Sequence, residues 1–161
     1  MKYLIFVLAL AGCAERQAQV SVQNALNVMA EGVSSVDEIV SREIPDRASA
    51  ARSQVLSEEY TDVEVGMARY MALMRDWYEL TDALEIAHES LRIGQGALDV
   101  WVNSGDLPEE WGEFCGGIGD ALQAIVRLLG ECGINVPESI EGAVPWASSV
   151  CEIAGRYFSG T

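Results

Sequence analysis

Apolar residues in this chain recur in alternating steps of four and three over most of its first hundred positions, and that spacing constrains the fold more than any other feature. From Val22 the series runs Leu26, Met29, Val33, Val36 and Val40. A longer series runs Leu56, Tyr60, Val63, Met67, Tyr70, Met74 and Trp77, then Thr81, Leu84, His88, Leu91, Gln95, Leu98 and Val102. Each series makes one stripe on one α-helix, of the kind that buries itself against another helix.

The expected fold is therefore all-α. Helix one carries the first stripe and is expected to stop at Ile44-Pro45-Asp46, because the residue before proline is pushed out of the α region and Asp46 can cap a following helix. Helix two is predicted from about Arg47 to Asn103, a length of roughly 85 Å at about 1.5 Å per residue. A break is expected near Gly94-Gln95-Gly96.

Composition changes at Gly94. Twelve of the fifteen glycines lie from there onward, with Pro108, Pro137 and Pro145. The stretch from Asn103 to Pro108 reads as a loop, with Asp106 as a cap and Pro108 at an early helical position. Helix three is predicted over Glu109 to Glu131, a turn over Cys132 to Val136, and a fourth helix over Pro137 to Phe158, kinked at Pro145. Residues 13–103 then form a long antiparallel hairpin and residues 104–161 a shorter, Gly-rich one. Together they make one bundle-like domain, in which Gly112 and Gly116, one turn apart, are expected to let two helices approach closely.

The start of the chain has a different character. Lys2 precedes an apolar run from Tyr3 to Leu10, and the small residues Ala11 and Gly12 lead into Cys13, the order of a secretion signal. The stretch Leu10-Ala11-Gly12-Cys13 resembles the lipobox of bacterial lipoproteins. Its twelve-residue signal is short, as in phage-encoded members of that class. The resemblance implies that residues 1–12 are removed and that Cys13 carries diacylglycerol as the first residue of the mature domain, 13–161. Acyl chains such as palmitate contribute about 0.8 kcal/mol per buried methylene, so several hold a domain at a membrane without a spanning helix. Ala14 stands where an aspartate retains lipoproteins in the inner membrane, which implies the outer membrane, facing the periplasm. The apolar stretch Ile118 to Ile134 is interrupted by Asp120, Arg127 and Glu131 and does not read as a membrane span.

With 25 acidic and 10 basic residues the formal net charge is -15, so phosphate-rich partners are repelled and no nucleic acid is expected to bind. His88 is the only histidine. Glu85-Ile86-Ala87-His88 is thus half of a carboxylate-bridged metal site with no second half, and most two-imidazole zinc chemistry is excluded. The acidic clusters Asp37-Glu38, Glu58-Glu59-Asp62-Glu64 and Glu109-Glu110 lack the alternating ligands and glycine of a calcium loop. Gly116-Gly117-Ile118-Gly119 lacks the lysine and hydroxyl of a phosphate loop, and Ser148-Ser149 has no nucleophile-elbow setting. A non-enzymatic protein without cofactor or metal is expected.

Three cysteines follow Cys13, and an exported chain is expected to pair two of them. Cys115 and Cys132 lie about 25 Å apart along one predicted helix, too far to bond. In an antiparallel hairpin, facing residues centre on the turn. Cys115 and Cys151 centre on position 133, within the predicted turn, so a Cys115–Cys151 disulfide is predicted with Cys132 left over. The alternative is that all three are small core residues.

Thr81, His88 and Gln95 recur every seven residues at core-type positions, where polar groups fix register or partner choice. They mark either the wet edge of a bundle or a recognition seam for a partner helix. Trp101 and Trp111 flank the loop and either join the core or form an exposed apolar patch. The expected function is that of a lipid-anchored helical module binding another envelope protein, or a second copy of itself. Two other uses compete: a phage-type superinfection-exclusion or lysis lipoprotein, and a carrier of an apolar ligand in a cavity lined by Met67, Met71 and Met74.

Overall fold

The structure, a computed structural model, describes residues 2–58 and 62–158, with the side chains of 2–13, 154, 157 and 158 left outside the description. It consists of α1 (Lys2–Ser57), α2 (Val63–Ser104), α3 (Glu110–Glu131) and α4 (Glu138–Phe158), with no strand among the described residues. Helices adjacent in sequence pack together and α4 also packs on α1, so the order around the bundle is α1, α2, α3, α4. One core threads all four.

The first apolar stripe is buried along its whole length, from Val22 to Val40. The helix that carries it does not turn at Pro45, as its sequence predicts, but continues to Ser57. Proline inside a helix removes one hydrogen bond and costs about 3 kcal/mol. Here Pro45 lies on the exposed face, while Val40 before it and Ala51 after it are buried in the core. The Arg47 guanidinium lies 5.6 Å above the Trp77 ring. Tertiary contacts on both sides of the proline outweigh its local cost, as they do for most helices in proteins. Asp46 is consequently an exposed mid-helix residue. The cap is Asp62, whose backbone is extended and whose carboxylate accepts from the Glu64 N–H at 2.8 Å.

No break occurs at Gly94–Gly96 either, since α2 runs unbroken to Ser104. Gly94 is where the Phe114 ring of α3 packs against α2, Gly117 faces Ser90, and Gly32 receives the first turns of α4 at Ser139, Ile140 and Ala143. Those three glycines make the close approaches. Gly112 and Gly116 do not: a β-carbon on either would meet open space.

Two helix ends are closed by glycines in the left-handed region. Gly105 adopts φ 81° and donates its N–H to Trp101 O at 2.9 Å, closing α2. Asp106 does not cap α3, whose N-cap is Glu109; the Asp106 N–H instead bonds Ser104 Oγ at 3.1 Å. At the α3–α4 turn Gly133 adopts φ 74°, its N–H donates to Gly130 O and the Ile134 N–H donates to Leu129 O, the paired bonds of a left-handed helix stop. Pro145 sits inside a continuous α4.

Helix lengths set the shape. Along the antiparallel α1–α2 pair, Glu15 lies beside Gly105, Gln23 beside Gln95, Asp37 beside His88, Arg47 beside Trp77 and Glu58 beside Arg69. α3 ends at Glu131, and Cys132 after it lies within electrostatic reach of Asp76 and Arg47. α4 begins beside Ser35, whose hydroxyl is 2.7 Å from that of Ser139. Beyond the buried Ala51 and Met74, residues 52–57 of α1 and 63–73 of α2 stand as a two-helix arm, about 10 Å long on the α1 side at about 1.5 Å per residue. The Cys13 backbone lies near the opposite end of α1, roughly 66 Å from Ser57 by the same rise.

Candidate interaction surface

The three polar residues of the second stripe find partners within the chain. Thr81 Oγ1 donates to Trp77 O, one turn earlier, at 3.0 Å. His88 Nε2 lies 3.9 Å from Asp37 Oδ2 across the seam, with both side chains about half exposed. Gln95 and Gln23 exchange side-chain amide hydrogen bonds at 3.1 and 3.3 Å, and Gln95 also donates to Asp99. His88 and Gln95 thus meet α1 across the seam, whereas Thr81 bonds only its own helix.

The tryptophans beside the α2–α3 loop are not offered to solvent. Trp101 is fully buried and Trp111 nearly so, its ring centroid 5.0 Å from that of Phe114. Both belong to the core at this end of the body, so the exposed patch is elsewhere. Trp146 on α4 is the tryptophan that faces outward.

Cys115 and Cys151 form a disulfide, with Cα atoms 5.8 Å apart, that ties the start of α3 to the last turns of α4. Cys132 is free and buried at the far end of the same hairpin. Burial, with a smaller contribution from the Asp76 charge, pushes its thiol up to about 11. A thiol held neutral in this way is a packing residue rather than a nucleophile.

The surface that sequence reasoning missed is the arm. Val63 and Met67 occupy core-type positions of the second series on α2, and Leu56 of the same series lies on α1 across the turn, yet they are 84%, 58% and 74% exposed, and neighbouring Met71 is 49% exposed. In the body the same stripe is buried at Met74, Trp77, Leu84 and Leu98. The difference is helix number: four helices enclose the stripe there, and only two are present in the arm. Leu56, Val63 and Met67 join Val55, Gly66 and Tyr70 around an open groove of about 460 Å³ between the two helices, with Arg52 and Asp62 as its charged lining. Tyr60, another residue of the series, lies outside the described residues. Met67 and Met71 point outward while Met74 is buried, so these three do not line one interior cavity.

The lipid-attachment residue of the sequence reading, Cys13, lies in the backbone of α1 with its side chain outside the description. No described helix is long and apolar enough to cross a membrane. Among the described residues no group of three or more His, Cys, Asp or Glu is placed to hold a metal ion. No protein-family model, curated protein sequence or solved structure matches this chain.

Proposed function

We propose that this protein is a lipid-anchored, non-enzymatic envelope lipoprotein whose helical body displays an interaction surface away from the membrane. The observation that carries the reading is the separation of two features along α1. Cys13, at the end of the lipobox-like stretch, lies near one end of the helix, and the exposed apolar side chains of the arm lie at the other. An acyl anchor at Cys13 needs no membrane-spanning helix. The acidic surface between the ends, part of a chain of formal net charge -15, keeps the body soluble and disfavours contact with anionic lipid headgroups. A chain built this way serves as an assembly module, holding a partner at a fixed distance from the membrane in the periplasm.

Metabolic labelling with radioactive palmitate tests the anchor. Label is expected in the wild-type chain and absent from Cys13→Ser, which should also leave the membrane fraction; an unlabelled wild-type chain would overturn the reading. The twelve-residue signal favours one second use, phage-type superinfection exclusion. Challenging a host with phage, with and without expression, separates the two: exclusion requires protection, and assembly requires none.

A further inference from the structure

We propose that the groove between α2 and α3 is a docking site for a basic amphipathic helix of another protein, in which Glu85, Glu110 and Glu113 receive its cationic side chains and Ile86, Ile93 and Val100 its apolar stripe. The inference goes beyond the reading above and depends on neither the acyl anchor nor the arm.

Besides the residues it buries, α2 carries a second apolar line, Ile86, Ile93 and Val100, one every seven residues over about 21 Å at about 1.5 Å per residue. Ile86 and Val100 are about half exposed. The line runs along two adjoining stretches of open groove, of about 480 and 590 Å³, which share Glu89, Ile93 and Glu113 as lining. Seven-residue spacing is what one helix presents to another, so the occupant that matches it is helical. Room for it is greatest at Gly96, where a β-carbon would meet nothing.

Charge selects the occupant. In the first stretch Glu85 and Glu89 of α2 and Glu113 of α3 stand around a floor of Ser90 and Gly117. Arg92 Nε donates to Glu89 at 2.8 Å and neutralises it, whereas Glu85, Glu110 and Glu113 have no ion-pair partner among the described residues. Ser90 is only 5% exposed, and its hydroxyl makes no hydrogen bond with a described residue. Buried polar groups are ordinarily bonded, and this one lies among acceptors. The group that completes the pocket is therefore a charged donor, the ammonium or guanidinium of a long side chain whose stem lies along Ile86 and Ile93. The second stretch, lined by Ile93, Ala97, Val100 and Pro108, takes apolar side chains, with Glu110 beside them for a further cation.

The test titrates the detergent-solubilised full chain with a fluorescent synthetic peptide built as an amphipathic helix, leucines on one face and lysines on either side. Two control peptides carry the same residues in an order that breaks the stripe, or glutamate in place of lysine. Saturable binding of the first peptide is expected, at least tenfold tighter than of either control. Glu110→Gln with Glu113→Gln should weaken it at least tenfold, and so should Gly96→Trp, which fills the groove from a position where the fold has room. Ser90→Ala should weaken it about tenfold, the value of one hydrogen bond to a charged group. Glu31→Gln with Glu38→Gln, which removes the same charge from the exposed side of α1, should change it less than twofold. Circular dichroism checks that every variant keeps the wild-type helix content. Equal binding of the reordered peptide, or an equal loss from the α1 pair, would overturn the groove as the site and reduce the effect to attraction between opposite net charges. Absence of binding would overturn the proposal outright.

Discussion

A β-carbon placed on Gly94 would stand 2.7 Å from Cδ2 of Phe114, inside the van der Waals distance of the ring. This glycine therefore sets the spacing between α2 and α3. Gly116, one helix away, has open space around it.

Two alanine substitutions should consequently act in opposite directions. Gly94→Ala is expected to destabilise by about 1–3 kcal/mol through overpacking against an immobile aromatic ring. Gly116→Ala is expected to stabilise by about 0.4–1 kcal/mol, since it restricts the unfolded chain and meets nothing in the folded one. Urea unfolding of the two variants beside wild type checks both signs; equal effects would mean that the α2–α3 spacing is not set at Gly94.

Much of this architecture was legible in the residues. The stripe from Val22 to Val40, the helix over Glu110–Glu131 and the Cys115–Cys151 pair all follow from periodicity and hairpin geometry. The turn was not legible, because Pro45-Asp46 and Asp62 offer similar local signals. The choice between them depends on whether Ala51 and Arg47 find α2 to pack on. Gly94 read as a break for the same reason: a glycine's cost in a helix is visible in sequence, whereas the ring that repays it lies on another helix. The arm was hidden because the series from Leu56 to Met67 runs across the turn between α1 and α2, and a core-type spacing says nothing about how many helices enclose it.

The disulfide is expected to carry a substantial share of the stability of the α3–α4 hairpin. It closes a loop with a sequence separation of 36, for which chain entropy gives roughly 3–4 kcal/mol. Cys151→Ser should shift the urea midpoint down by a corresponding amount, and reductant should do the same to wild type but nothing further to the variant.

Cys132 gives the pH dependence a defined sign. Its thiol ionises near 9 when unperturbed and is pushed up to about 11 in the fold, because burial disfavours the thiolate. Below the lower value both folded and unfolded chains hold the proton. Between the two the unfolded chain has released a proton that the native state retains, so stability must fall as pH rises through this window. Cys132→Ala should lose less stability than wild type between pH 9 and pH 11. At neutral pH the native thiol at 132 should resist alkylation that proceeds rapidly in denaturant.

The seam residues should behave as structural groups. His88→Ala removes a half-exposed pairing with Asp37 and is expected to cost under about 1 kcal/mol. Gln95→Leu leaves Gln23 without its reciprocal amide partner, and the Gln23→Leu, Gln95→Leu double variant should recover the loss. A double-mutant cycle by thermal unfolding reads the coupling directly. Zero coupling would show that the two amides do not meet in solution.

The central claim is that α1 links an acylated Cys13 to a protein body closed by one disulfide, and the intact mass of the chain tests it most directly. Protein extracted in detergent from the membrane fraction should have lost residues 1–12, gained acyl mass at Cys13, and become heavier by about 2 Da on reduction, as one S–S bond takes up two hydrogens. An unmodified full-length chain would contradict the anchor and with it the placement of this protein in the cell envelope.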